Sequence, residues 1–135
     1  MIFVDTNVFM YAVGGEHPLR GPAQQFFLES MNATAPRVTS AEVLQELLHA
    51  YVPVRRFATL DAALSLVDSV IGTIWPIEAE DVRMARLFAD RQPRLGARDL
   101  IHLACCRRRN VRSIKTFDSA LAAAFSARAD HRRRS

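Results

Sequence analysis

The chain lacks the features that would staple, embed or unfold it. Its 135 residues include two cysteines, Cys105 and Cys106, adjacent in a helical pattern where a mutual bridge has poor geometry. With no Cys/His ligand spacing either, a disulfide scaffold and a zinc module are excluded, and buried reduced thiols are expected. No apolar run approaches a membrane span. The chain opens on a strand-like segment rather than a basic-then-apolar leader, so a cytoplasmic protein with no membrane partner is expected. Low-complexity tracts are missing while 50% of the residues are hydrophobic, which excludes a largely disordered chain.

What is present fits one domain, long enough to bury roughly two-thirds of its unfolded surface without staples. The net charge of +4 is unevenly spread. Residues 128–135 hold Arg128, Arg132, Arg133 and Arg134 against Asp130; the remaining 14 basic and 13 acidic residues leave a nearly neutral body. The stretch 126–135 reads as a basic, disordered tail following a domain at 1–125. A second basic cluster, Arg107, Arg108, Arg109 and Arg112, is the better candidate for contacting phosphates, although a helix end favoured by its dipole explains each arginine equally well.

Along the chain, Ile2-Phe3-Val4 is a short buried-strand signal, and Arg37-Val38-Thr39, Thr73-Ile74-Trp75 and Ser113-Ile114-Lys115-Thr116 are similar. Pro76 marks the third as an edge. Helical stripes lie between them: Ala23, Phe26 and Phe27; then Val43, Leu44, Leu47, Leu48 and Tyr51 behind a Ser40 cap; then Phe57, Leu60, Leu64, Val67 and Ile71. Glu78, Glu80 and Asp81 load the first turn of a helix with Met84, Leu87 and Phe88 inside, and read as dipole partners rather than ligands. A further helix spans 97–108, and a short Ala-rich one ends near Phe125. Strands separated by helices, without hairpin turn signals, predict an α/β fold with a parallel sheet covered on both faces.

The acids are placed in a pattern. Asp5 and Asp118 directly follow strands, Asp99 sits in the first turn of a helix, and Glu42 and Glu46 share one helical face just after the second strand. Asp5 or Thr6 could simply cap a helix. In a doubly wound sheet, however, these points converge on the carboxyl edge, where ligand sites collect. At an effective dielectric of about 20, each close carboxylate pair costs on the order of 4 kcal/mol, so protons or cations must offset it. An all-oxygen donor set suits Mg²⁺ or Mn²⁺, which can polarise a phosphodiester and acidify a bound water.

Four stretches carry a resemblance: Val4-Asp5-Thr6-Asn7-Val8, Val43-Leu44-Gln45-Glu46-Leu47, Ala97-Arg98-Asp99-Leu100-Ile101-His102-Leu103-Ala104 and Lys115-Thr116-Phe117-Asp118. In order and spacing they resemble the signature segments of PIN-domain ribonucleases, most of all the VapC toxins of bacterial type II toxin–antitoxin pairs, from Met1 to about Phe125. The resemblance implies a PIN-like three-layer sandwich with a short parallel sheet of four or five strands. It also implies a Mg²⁺- or Mn²⁺-dependent endoribonuclease, a homodimer, and inhibition by a VapB-type antitoxin. By position, Asp5 and Asp99 resemble the main metal ligands, and Glu46 and Asp118 the acids that bind metal or orient water. Thr6, Asn7 and Thr116 resemble the polar neighbours that hold them. The family often adds a strand after its fourth acid, and none is evident here.

Glu46 rather than Glu42 is expected to be the third acid. Glu42 lies two residues past Ser40, where the helix dipole already accounts for it, whereas Glu46 is too deep in the helix for that role. His102 follows Asp99 by three residues, a spacing that can make a metal pair; on so apolar a helix it reads as a half-buried histidine bonded to backbone. Two other functions compete. A phosphatase would need a second aspartate where Asn7 stands. A non-cleaving RNA- or protein-binding module would have no reason to keep mutually repelling acids.

Overall fold

Short strands and longer helices alternate from the first residues: β1 (Ile2–Val4), α1 (Thr6–Val13), α2 (Arg20–Ser30), β2 (Arg37–Ser40), α3 (Ala41–Tyr51), α4 (Phe57–Val70), β3 (Thr73–Trp75), α5 (Ala79–Ala89), α6 (Ala97–Arg108), β4 (Ser113–Lys115) and α7 (Ser119–Arg134). The structure is a computed structural model describing the backbone of residues 1–134 and the side chains of residues 1–127. All strand pairs are parallel, in the order β3-β2-β1-β4, so the expected α/β architecture is present, with four strands and seven helices among the described residues. No described helix is long and apolar enough to cross a membrane.

The strand order positions the site. From β1 the chain steps outward through β2 to β3, then returns to place β4 on the other side of β1. The sheet therefore changes direction between β1 and β4, and a crevice opens outside the carboxyl ends of these strands. Register is held there by polar groups. Asp5 N donates to Lys115 O at 3.0 Å, and the buried Thr39 hydroxyl donates to Val4 O at 2.9 Å. Phe3, Val4, Val8, Phe9, Val38, Val43, Leu47, Leu103 and Leu121 make the fully enclosed core, so truncating Phe3 or Phe9 to alanine costs about 3–5 kcal/mol.

Helix stripes behave mostly as their periodicity predicts. Ala23, Phe26 and Phe27 are buried on α2; Val43, Leu47 and Tyr51 on α3; Leu60, Ala63 and Val67 on α4. Three residues assigned to stripes turn outward: Leu48, Phe57 and Leu87, the last 70% exposed. On α5 the inner face runs through Asp81, Met84, Ala85 and Phe88, which carries Leu87 to the opposite side. Phe57, in the first turn of α4, lies beneath the Arg55 guanidinium at 5.4 Å instead of in the core. Helix α6 ends on Asn110 with a positive φ of 59°, while Val111 N donates back to Cys106 O at 2.9 Å and Asn110 N to Arg107 O. This left-handed turn satisfies the last carbonyls and delivers the chain into β4.

The final helix corrects one expectation. Rather than ending near Phe125, the α7 backbone continues to Arg134. Its early part is driven by the buried Leu121, Ala124 and Phe125. The side chains of the basic tail, from Arg128 onward, lie outside the described residues, as does Ser135. No strand follows Asp118 among the described residues.

Candidate active site

Asp5 ends β1 and caps α1, so one residue serves the turn and the crevice together. Its Oδ1 accepts from Thr6 N at 2.8 Å, and its Oδ2 accepts from the Thr116 hydroxyl at 2.7 Å. Only 4% exposed, its carboxyl is pushed above the usual aspartate range by burial, against the opposing pull of His102, Thr116 and Thr6 N. Thr116 is held in turn: its Oγ1 accepts from Asp118 N at 3.0 Å and from Asn7 Nδ2 at 3.4 Å. Asn7 Oδ1 accepts from Phe117 N at 3.2 Å. The turn after β1 and the turn after β4 are thus stitched together by the polar residues that sequence reading placed beside the acids. Asp118 Oδ1 accepts from Leu121 N at 3.0 Å, so this acid also starts α7.

Helices α3 and α6 bring the remaining acids to the crevice. Asp99 has a pKa raised to about 6, first by burial and then by the charge of Asp5, with Asp118 and Glu46 adding to it and His102 opposing. That coupling brings Asp5, Asp99, Glu46 and Asp118 into one electrostatic cluster. Glu46 accepts a hydrogen bond from His102 Nε2 at 2.6 Å. Burial works against its charge, but the His102 hydrogen bond and charge, the Thr6 hydroxyl and Arg98 hold it below the usual glutamate range. The Thr6 Oγ1 itself is buried and closes no hydrogen bond of normal geometry among the described residues. Glu42, one turn back, faces the Arg98 Nε at 3.8 Å, and burial leads in raising its pKa.

His102 differs from its expected state. It is 0% exposed rather than half-buried, and it bonds a carboxylate rather than backbone. Its Nε2 lies 3.7 Å from Asp5 Oδ1, and one ligand-type atom each from Asp5, Glu46 and His102 fall within 4.8 Å of one another. Burial opposes its protonation, yet the Glu46 hydrogen bond and the charges of Asp5, Glu46 and Asp99 raise its pKa. The i, i+3 spacing from Asp99 was the visible signal; the partner, 56 residues away in sequence, was not. Arg98 was missed altogether. It is a cation beside the acids, 43% exposed, and only its adjacency to Asp99 pointed to it.

The arginine cluster sits differently from the phosphate-contacting surface expected of it. Arg108 and Arg109 both donate to Asp81 Oδ1 at 2.8 Å and also pair with Glu78. Asp81 is fully buried, and its other oxygen accepts from Glu78 N at 2.8 Å in a capping box. Arg107 lies near the Phe88 and Phe125 rings, with Nη2 donating to Ala124 O at 3.3 Å. Arg112 stands exposed before β4. A cation pair that reads as a phosphate patch is therefore largely spent joining α6 to the start of α5.

Comparison with known proteins relates the chain to a family. The PIN domain family matches residues 2–125. The ribonuclease VapC23 of Mycobacterium tuberculosis (strain H37Rv) is 62% identical over 125 residues, covering 93% of this chain and 98% of that protein. The crystal structure of M. tuberculosis VapC20, described as a sarcin–ricin-loop-cleaving toxin, superposes with a TM-score of 0.75 at 20% identity, covering 92% of this chain and 95% of the other. A structure of VapBC2 from Rickettsia felis, bound to a promoter DNA fragment, gives a TM-score of 0.64 at 18% identity over 87% of this chain and 88% of its own.

Proposed function

Since the chain belongs to the PIN-domain family, as a ribonuclease toxin of the VapC type, we propose that it hydrolyses RNA phosphodiester bonds at the crevice formed by Asp5, Glu46, Asp99 and Asp118. The observation that carries this reading is the convergence of ligand-type atoms: Asp5, Glu46 and His102 each bring one within 4.8 Å of the others, beside Asp99, whose carboxyl burial and the neighbouring acids push up to about 6. A cluster that resists its own ionisation is poised to exchange protons for a cation. The carboxylate oxygens suit Mg²⁺ or Mn²⁺ and its water shell. The bound cation would supply a polarised phosphoryl oxygen and an acidified water.

In this reading Asp5 and Asp99 hold the cation. Thr116 and Asn7 keep Asp5 in place. Glu46 and Asp118 orient the attacking water and accept its proton. The water oxygen bonds to phosphorus while the bond to the 3′ oxygen breaks. The products are a 5′-phosphate and, once that oxygen takes up a proton, a 3′-hydroxyl. RNA is the substrate, a second copy of the chain makes a homodimer, and a VapB-type antitoxin is the inhibitor. The VapC relatives and the VapBC2 complex support the antitoxin partner. The uncompensated acids invite an arginine or lysine from such a partner, giving protection that weakens with salt.

The test is cleavage of labelled RNA. The wild type should cut in Mg²⁺ or Mn²⁺ and stop in chelator. Asp5→Asn and Asp99→Asn should each abolish cutting and growth arrest while folding normally, because removing a repelling charge leaves the metal-free protein as stable or slightly more so. Undiminished cutting by either variant at saturating Mg²⁺ would refute the site, and RNA binding without cutting by the wild type would favour a binding module.

A further inference from the structure

We propose that His102 is the positioning residue for Glu46: from inside the fold, its imidazole commits one carboxylate oxygen of Glu46 and leaves the other for the cation or its water. The inference rests on the nuclease reading above and adds to it a residue that acts through another. Helix α6 then serves the crevice twice, presenting Asp99 directly and aiming Glu46 indirectly, one turn later and across the contact with α3.

The geometry favours this role over direct ligation. Nε2 is already engaged, 2.6 Å from Glu46 Oε1, with Asp5 Oδ1 next at 3.7 Å. A carboxylate only accepts, so the hydrogen between them belongs to Nε2. That leaves Nε2 no lone pair for a cation while the bond persists. The other ring nitrogen, Nδ1, is buried with no hydrogen-bond partner among the described residues. The proton position and orientation of a histidine ring are usually set by a hydrogen bond at its other nitrogen. Here packing replaces that bond: the ring is fully enclosed and lies tilted against Phe3, centroids 5.4 Å apart. Phe3 belongs to the central strand, so the orientation of Glu46 traces back to the sheet core. Glu46 needs such help. It sits on the second turn of α3, beyond the reach of the helix N-terminus, beside the wholly buried Leu47.

A core-filling histidine and a positioning one predict different behaviour. Leucine at 102 keeps apolar volume and removes the donor, whereas glutamine retains an N–H at the position of Nε2. Mn²⁺ binding to the full chain, followed by electron paramagnetic resonance, should weaken about 10- to 100-fold in His102→Leu and recover most of that loss in His102→Gln. In a Glu46→Gln background, His102→Leu should cause no further loss, because the residue it acts through is already gone. Thermal melting of each metal-free variant reports folding separately. Unchanged Mn²⁺ binding in folded His102→Leu would overturn the proposal. So would an equal loss in both backgrounds, or a glutamine variant no better than leucine, since either result means direct ligation. Should His102→Leu not fold, ¹H–¹⁵N imidazole spectra of the metal-free protein decide. An Nε2-bound proton whose resonance moves in Glu46→Gln sustains the proposal, and one that stays put ends it. A wild type that binds no Mn²⁺ defeats the nuclease reading itself, which these outcomes keep distinct.

Discussion

Glu42 and Glu46 stand one helical turn apart on α3, yet only Glu46 is bonded from within the fold. Glu42 reaches toward Arg98, a partly exposed side chain. Glu46→Gln should therefore lose most RNA cleavage and Glu42→Gln keep most of it; reversed activities would mean that the wrong turn of α3 has been assigned to the site. Asp99 predicts a pH dependence with a definite sign. Its folded pKa of about 6 lies above the ordinary 3.8, so between those values the native state binds more protons than the unfolded one. Metal-free protein should then lose stability as pH rises from about 4 to about 6, and Asp99→Asn should reduce that slope, leaving the part due to Asp5 and Glu42, whose carboxyls are also raised. Urea titrations across this range in chelator provide the check. That Asp5, Glu46, Asp99 and Asp118 come near one another was legible because strand ends and the first turns of helices gather at one edge of such a sheet. His102 was misread because spacing reveals neighbours along one helix and says nothing about a carboxylate arriving from another.

The joint between α5 and α6 shows the same limit for elements. Glu78, Glu80 and Asp81 announce a helix start, and Arg107, Arg108 and Arg109 a helix end; nothing in either pattern states that the two ends meet. They meet through Asp81, whose buried carboxylate is held below the usual range by Arg109, Arg108 and Glu78 N despite the cost of burial. Removing one partner of a buried ion cluster strands the rest. Asp81→Ala should cost about 3 kcal/mol or more in chemical unfolding while Asp5, Glu46, Asp99 and Asp118 remain in place. A loss of RNA affinity with unchanged stability would instead restore Arg108 and Arg109 to a phosphate-binding role. Element types and order were legible throughout, since strands of three or four residues bounded by long amphipathic runs leave little ambiguity. Which face of α5 points inward was not, because its innermost residue is an aspartate.

At the scale of the whole molecule, α7 carries buried residues first and basic ones after them. Leu121, Ala124 and Phe125 are buried, and the basic residues follow them. Truncation after Ala127 should leave the melting temperature nearly unchanged. It should also flatten the salt dependence of RNA binding, by up to about one unit of slope for each phosphate no longer neutralised. A large drop in melting temperature would assign the last residues to the fold instead. The parallel pairing of β1 with β4 has a consequence in the order of synthesis. Asp5 is made 111 residues before Thr116, which fixes it, and Asp118 follows Thr116. A nascent chain halted before these residues emerge carries an incomplete site, with the β4 edge of β1 unpaired. On the proposed chemistry, a polypeptide that cuts RNA stays harmless to the message encoding it until β4 has been made and has docked on β1.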